Sequence, residues 1–146
     1  MKKFLYLILI ALTTTSFSSC SKDDDTKPGL EGSWYIYKES VVIDGETVHE
    51  EIQEDCDAES HFQILANNEV VYRNFINCNG YTTMRGTYDS SANQIVLEHE
   101  GEKYVFEAEY NNGDLLLSIT DKVISNEEEI NETTIYHCRK GEPMLE

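Results

Sequence analysis

The chain has 146 residues, 40% of them hydrophobic, and carries 28 acidic against 11 basic side chains for a net charge of −17. Charge of that sign and size repels phosphate backbones and argues against nucleic acid as a partner. The length suits one domain, large enough for a single core.

The first element is an apolar leader. Lys2 and Lys3 are followed by the run Phe4 to Leu12, a polar stretch from Thr13 to Ser16, and then small residues before Cys20. Positive start, short apolar core and small-residue end are the layout of a secretory signal peptide, too short to span a bilayer as a stable helix. Phe17-Ser18-Ser19-Cys20 resembles the lipobox of bacterial lipoproteins, with Phe17 where leucine is usual. The resemblance implies that residues 1–19 are removed and that Cys20 becomes the lipidated first residue. Acyl chains there would anchor the protein at about 0.8 kcal/mol per buried methylene. Ser21-Lys22-Asp23-Asp24-Asp25 is similar to the lysine-plus-acid export signal of surface-displayed lipoproteins in some Gram-negative bacteria. The expected location is therefore the outer membrane, lipid-anchored and exposed at the cell surface. Loss of Lys2 and Lys3 leaves nine basic against 28 acidic residues, a net −19 for the mature chain.

Residues 20–29 read as the lipidated cysteine and a flexible acidic tether, with Pro28 and Gly29 and almost nothing apolar. The domain proper is expected over 30–140, followed by a short tail at 141–146. Its pattern is nearly all β. A first strand over Trp34 to Ile43 ends at "IDGE", which turns into a short second strand. Next comes a stretch dense in carboxylates around Cys56, with His49, Glu50, Glu51, Glu54, Asp55, Asp57, Glu59 and His61. Such density could attract calcium, but the spaced ligand loop with its turn glycine is missing, so no metal site is expected.

"HFQIL" and "EVVYRNFI" then face each other across Ala66-Asn67-Asn68. A three-residue hairpin loop there pairs Ile64 with Val70, Phe62 with Tyr72 and Ala58 with Ile76, and the same register sets Cys56 opposite Cys78. An oxidising envelope favours that disulfide and leaves Cys138 as a buried thiol; pairings of Cys138 with Cys56 or Cys78 stay open. "YDSSANQ" separates Tyr81 to Tyr88 from Ile95 to His99, and "EHEGEK" turns at Gly101. Tyr104, Phe106, Ala108 and Tyr110 alternate with polar or valine positions, and "NNGD" leads to Leu115, Leu117 and Ile119 on one face. Eight or nine short strands at this spacing form an up-and-down antiparallel meander, which must close to protect its edges.

The opening "GLEGSWYIYKE" resembles the start of lipocalin-like domains, where a Gly-x-Trp motif begins the first strand; here it is Gly32-Ser33-Trp34, with the only tryptophan of the chain. The resemblance implies a small closed barrel in which Trp34 plugs one end and Arg139, late in the last strand, stacks on it. The C-terminal helix of lipocalins has no counterpart in "GEPMLE". The ligand lining that the resemblance implies is Phe62, Ile64, Met84, Tyr88, Leu97, Tyr104, Phe106 and Leu117. The same residues could instead be plain core, since eight-stranded barrels are narrow enough to fill themselves.

Chemistry is sparse. His137 and Cys138 are adjacent, so a strand points them to opposite faces and they cannot act as a nucleophile–base pair. His99 ends an inward row with Ile95 and Leu97. No phosphate loop, zinc spacing or nucleophile elbow occurs, so neither catalysis nor a cofactor is expected. Two functions stay open: a carrier for a small apolar or amphipathic ligand, and a non-catalytic adaptor or inhibitor. The latter would present a solid barrel's loops, with Tyr35, Tyr37 and Tyr81, to a protein or glycan. A monomer is expected, and membrane contact only through lipid on Cys20.

Overall fold

A computed structural model of the protein describes residues 29–76, 78–125 and 127–141. The leader, Cys20 and Ser21 to Asp25 lie outside the described residues. Among the described residues nine strands follow one another: β1 (Gly32–Ile43), β2 (Glu46–Ile52), β3 (His61–Ile64), β4 (Glu69–Phe75), β5 (Tyr81–Asp89), β6 (Gln94–His99), β7 (Glu102–Asn111), β8 (Asp114–Ser125) and β9 (Glu128–Lys140). All pairings are antiparallel, and β9 returns to β1, so β1 and β3 to β9 close into an eight-stranded barrel. Several of the connections are tight turns. In "NNGD", Asn112 and Gly113 both take positive φ, 52° and 96°, which matches the twist of the strands they join.

One strand departs from simple up-and-down order. β1 is twelve residues long and shares one edge between two partners: Gly32 to Tyr35 pair with β3, and Lys38 to Ile43 pair with β2. β2 is therefore a ninth strand outside the closed ring, exposed along its whole length. Together with the long β8–β9 hairpin it forms an overhang above one rim of the barrel.

Each strand runs between the same two ends. Trp34, Ile64, Tyr88, Ile95, Tyr110 and Leu115 occupy inward positions near one end, and the opposite end carries Met84, His99, Tyr104 and Ile119. Toward the Trp34 end the core consists of Trp34, Ile36, Ile64, Val70, Ile95, Leu115 and Cys138, all buried. Gly86, on the inner face of β5 opposite Leu97, lets β6 approach closely: a methyl group there would sit 1.8 Å from the Val96 carbonyl oxygen.

The expected hairpin register holds where the strands are regular. Ile64 pairs with Val70 and Phe62 with Tyr72, and Asn68 takes the positive φ that the three-residue loop needs. It fails beyond His61: Ala58 lies in a single 3-10 turn, Asp57–Glu59, and Ile76 has left β4, so they are not ladder partners. Ser60 joins the two segments instead, its hydroxyl accepting a 3.0 Å bond from the Phe75 N–H. Cys56 and Cys78 still meet, with Cα atoms 5.2 Å apart, in a disulfide between the β2–β3 connection and the β4–β5 loop. Cys138 is free and buried in β9.

Candidate functional site: the open end of the barrel

The eight residues expected to line a ligand site all face inward, but they divide into two sets. Phe62, Ile64, Leu97, Phe106 and Leu117 are buried and packed on one another as core. Met84, Tyr88 and Tyr104 are only half-buried. Tyr88 lies toward the Trp34 end, so Met84 and Tyr104 are the members of the set that stand at the open end. The narrow ring explains the division, since side chains from eight strands meet across the axis and fill it from the closed end upward.

At mid-height the interior is aromatic. Phe62 stacks on Tyr72 with centroids 4.3 Å apart and meets the edge of Phe106 at 5.6 Å. Tyr136 completes the group, 6.3 Å from Phe62 and 6.1 Å from Phe106. Burial pushes the Tyr136 phenol up to about 12, and it raises Tyr72 further still. Above this floor stands Glu39. It was not among the expected site residues, because simple alternation from Trp34 and Ile36 would turn Lys38 and Ser40 inward. A bulge at Tyr37 breaks the alternation: Ile36 pairs with Cys138 but Lys38 pairs with His137, which leaves Tyr37 as an extra residue and turns Glu39 to the interior. Desolvation holds the Glu39 carboxyl above the usual carboxylate range, and Glu51 on β2, directly opposite, raises it further.

The closed end also differs from expectation. Trp34 is 2% exposed, and its indole N–H donates to the Leu30 carbonyl at 2.7 Å. Arg139 does not stack on it. Arg139 pairs with Tyr35 on the outer face, lies 4.1 Å from the Tyr37 ring centroid, and bonds Asp114 at 3.5 Å. Lys140, the ladder partner of Trp34, is the cation over the indole, at 5.6 Å. The reason is parity: Cys138 points into the core, so Arg139 must point out and Lys140 in.

The outer face holds a polar row that places Ser40, His137 and Glu50 together. Ser40 Oγ lies 3.0 Å from His137 Nε2 and donates to Glu50 Oε1 at 3.3 Å, while Lys38 Nζ bonds the same Glu50 oxygen at 2.9 Å. The serine has one hydrogen for these two contacts, so which partner donates in the Ser40–His137 pair depends on the imidazole tautomer. Ser40 is 3% exposed beneath β2 and β9. The row tacks β2 and β9 onto β1.

The acidic stretch around Cys56 sits at the open end beside the disulfide. Among the described residues, no three His, Cys, Asp or Glu side chains come together as a metal site would require. Of the tyrosines weighed as a recognition surface, Tyr35 lies against His61 with centroids 4.8 Å apart, Tyr37 donates to Asp114 at 2.9 Å, and Tyr81 is largely exposed. His99 is half-buried at the rim opposite Glu102.

No curated protein matches the sequence. Residues 30–117, more than half of the chain, match the family model of the lipocalin-like domain. With the closed eight-stranded barrel and its aromatic interior, this match shows that the chain belongs to the lipocalin-like domain family.

Proposed function

We propose that this protein is a lipid-anchored, non-catalytic binding protein that takes a small apolar or amphipathic ligand into the open end of its barrel. The observation that carries the reading is the change along the barrel axis. Buried Trp34, Ile36, Ile64, Ile95 and Leu115 pack the Trp34 end, with only Tyr88 and Tyr110 less covered there, whereas half-buried Met84, Tyr104, Ile119 and Tyr136 face inward together at the other. Half-buried tyrosine and methionine side chains on an inner wall offer a ligand apolar contact with polar tips, the composition that small-molecule sites favour. Family membership supports binding over catalysis.

The anchoring part rests on Phe17-Ser18-Ser19-Cys20 and on Lys22 with Asp23 to Asp25. On this reading Cys20 carries the lipid, the acidic tether spaces the barrel from the outer membrane, and display is at the cell surface. Fractionation tests it: Cys20→Ala should move the protein from the membrane to the soluble fraction, and a variant that stays in the membrane would refute lipidation at that residue. Native mass spectrometry of the purified protein tests ligand binding. A discrete added mass that disappears on denaturation is expected. A bare chain after incubation with membrane extract would favour the adaptor reading instead.

A further inference from the structure

The overhang formed by β2, β1, β9 and β8 brings like charges face to face over the aromatic floor. On its inner side Glu39 is directly opposite Glu51 across the β1–β2 ladder, and Asp121 is directly opposite Glu132 across the β8–β9 ladder. Tyr136 is the ladder partner of Glu39, and Glu102 stands on the far rim, holding the Tyr104 hydroxyl at 3.0 Å. Like charges opposed across a ladder destabilise it unless something neutralises them. The cations among the described residues are turned elsewhere. Lys38, Lys103 and Lys122 are bonded to Glu50, Glu98 and Glu129, and by register Arg73, Arg85 and Arg139 face outward. Among the described lysines and arginines, Lys140 alone has an inward position, and it is at the opposite end under Trp34. His49 reaches Glu51 at 3.9 Å, both largely exposed.

A second, independent feature lies below the carboxylates. Tyr72 is 7% exposed, yet its hydroxyl has no hydrogen-bond partner among the described residues. No side-chain oxygen among the described residues is both sealed from solvent and unpaired, so this hydroxyl opens onto the interior space. Its electrostatic neighbours are Tyr136, Glu39 and, on the core side, Cys138. A buried phenol left open beneath a carboxylate presents an acceptor and a π face to whatever enters from above.

Resting on the ligand-binding reading above, we propose that the open end selects amphipathic ligands with a positively charged head, an organic ammonium held by Glu39 and the faces of Tyr72 and Tyr136. An ammonium donates to Glu39 and to the Tyr72 hydroxyl, relieves the Glu39–Glu51 opposition, and lays its apolar tail toward Phe62 and Phe106. No three acidic or histidine side chains converge as metal ligands among the described residues, which suits a diffuse organic cation better than a bare metal ion.

The test uses a neutral fluorescent apolar probe, N-phenyl-1-naphthylamine, bound to the purified protein and displaced by decylamine, decanol or decanoate, each below its micellar concentration. Decylamine should displace it at a concentration at least tenfold lower than decanoate, with decanol between, and the preference should shrink in high salt. Glu39→Gln should weaken decylamine at least fivefold and leave decanol unchanged, while Asp121→Asn, farther out on the overhang, should cause a smaller loss. Decanoate matching decylamine, or Glu39→Gln weakening decanol and decylamine alike, would overturn the charge preference while leaving the small-ligand reading intact. If neither the probe nor any amphiphile binds, the small-ligand reading itself falls and the preference with it.

Discussion

Replacing Gly86 by alanine should destabilise the barrel sharply, although a glycine-to-alanine change in a strand usually helps. Gly86 is not in the positive-φ region, so alanine meets no backbone strain there. On conformational entropy alone the substitution would stabilise by about 0.4 to 1 kcal/mol. The obstacle is contact: the new methyl carbon would lie 1.8 Å from the Val96 oxygen, 2.7 Å from the Val96 carbonyl carbon and 2.8 Å from Leu97 Cα, all of them backbone atoms. Relief requires β6 to retreat by roughly 1.5 Å, enough to break ladder bonds to β5. Two lost bonds at about 1 kcal/mol each, with their groups left buried and unpaired, cost about 3 to 5 kcal/mol. The net loss is about 2 to 4 kcal/mol, a large share of the stability of a domain this size. Urea unfolding followed by tyrosine and tryptophan emission reads it as a lower midpoint at unchanged slope. A neutral or stabilising Gly86→Ala would refute the close approach of β5 and β6, and with it the narrow cross-section that fills the closed end.

The other predictions concern the rim, the plug and the outer polar row. Cys56→Ser with Cys78→Ser should cost about 3 kcal/mol, since the bridge closes a loop of sequence separation 22; a loss below 1 kcal/mol in urea would mean that the two open-end loops hold together without it. Lys140→Ala should shift the emission of Trp34, whereas Arg139→Ala should not, because Lys140 is the cation over the indole and Arg139 lies over Tyr37; the reverse result would refute the parity of β9. His137 should titrate below its ordinary value, since burial and then Lys38 oppose its charge while Glu50 and Asp114 only partly offset them. A depressed folded value means that its contribution to stability is complete above the unfolded imidazole value and is lost as pH falls through the folded one. An imidazole titration by NMR at or above the ordinary value would contradict the packing of β9 on β1.

Much of the architecture is legible in short segments. Tyr104, Phe106 and Ala108 alternate on one face because β7 has one wall in the core and one in water, and the structure places all three inward. The register of Phe62 with Tyr72 follows from the three-residue loop, and it carries the cysteines close enough to bond even though Ala58 and Ile76 leave the ladder. Glu39 was not legible. Its local pattern resembles that of Lys38 and Ser40, and nothing in "YIYKES" marks Tyr37 as the bulged residue.

Side-chain alternation and turn chemistry act over a few residues, so the periods, the turns and the set of apolar residues that must be hidden are written into short stretches of the chain. Closure of the barrel settles how β1 divides its edge between β2 and β3, that Lys140 rather than Arg139 covers Trp34, and that carboxylates rather than a lysine look down on the aromatic floor. Those outcomes depend on where one extra residue is absorbed when the ladder closes. In a strand such a residue reverses the facing of every side chain beyond it, at a point set by partners nearly a hundred positions away.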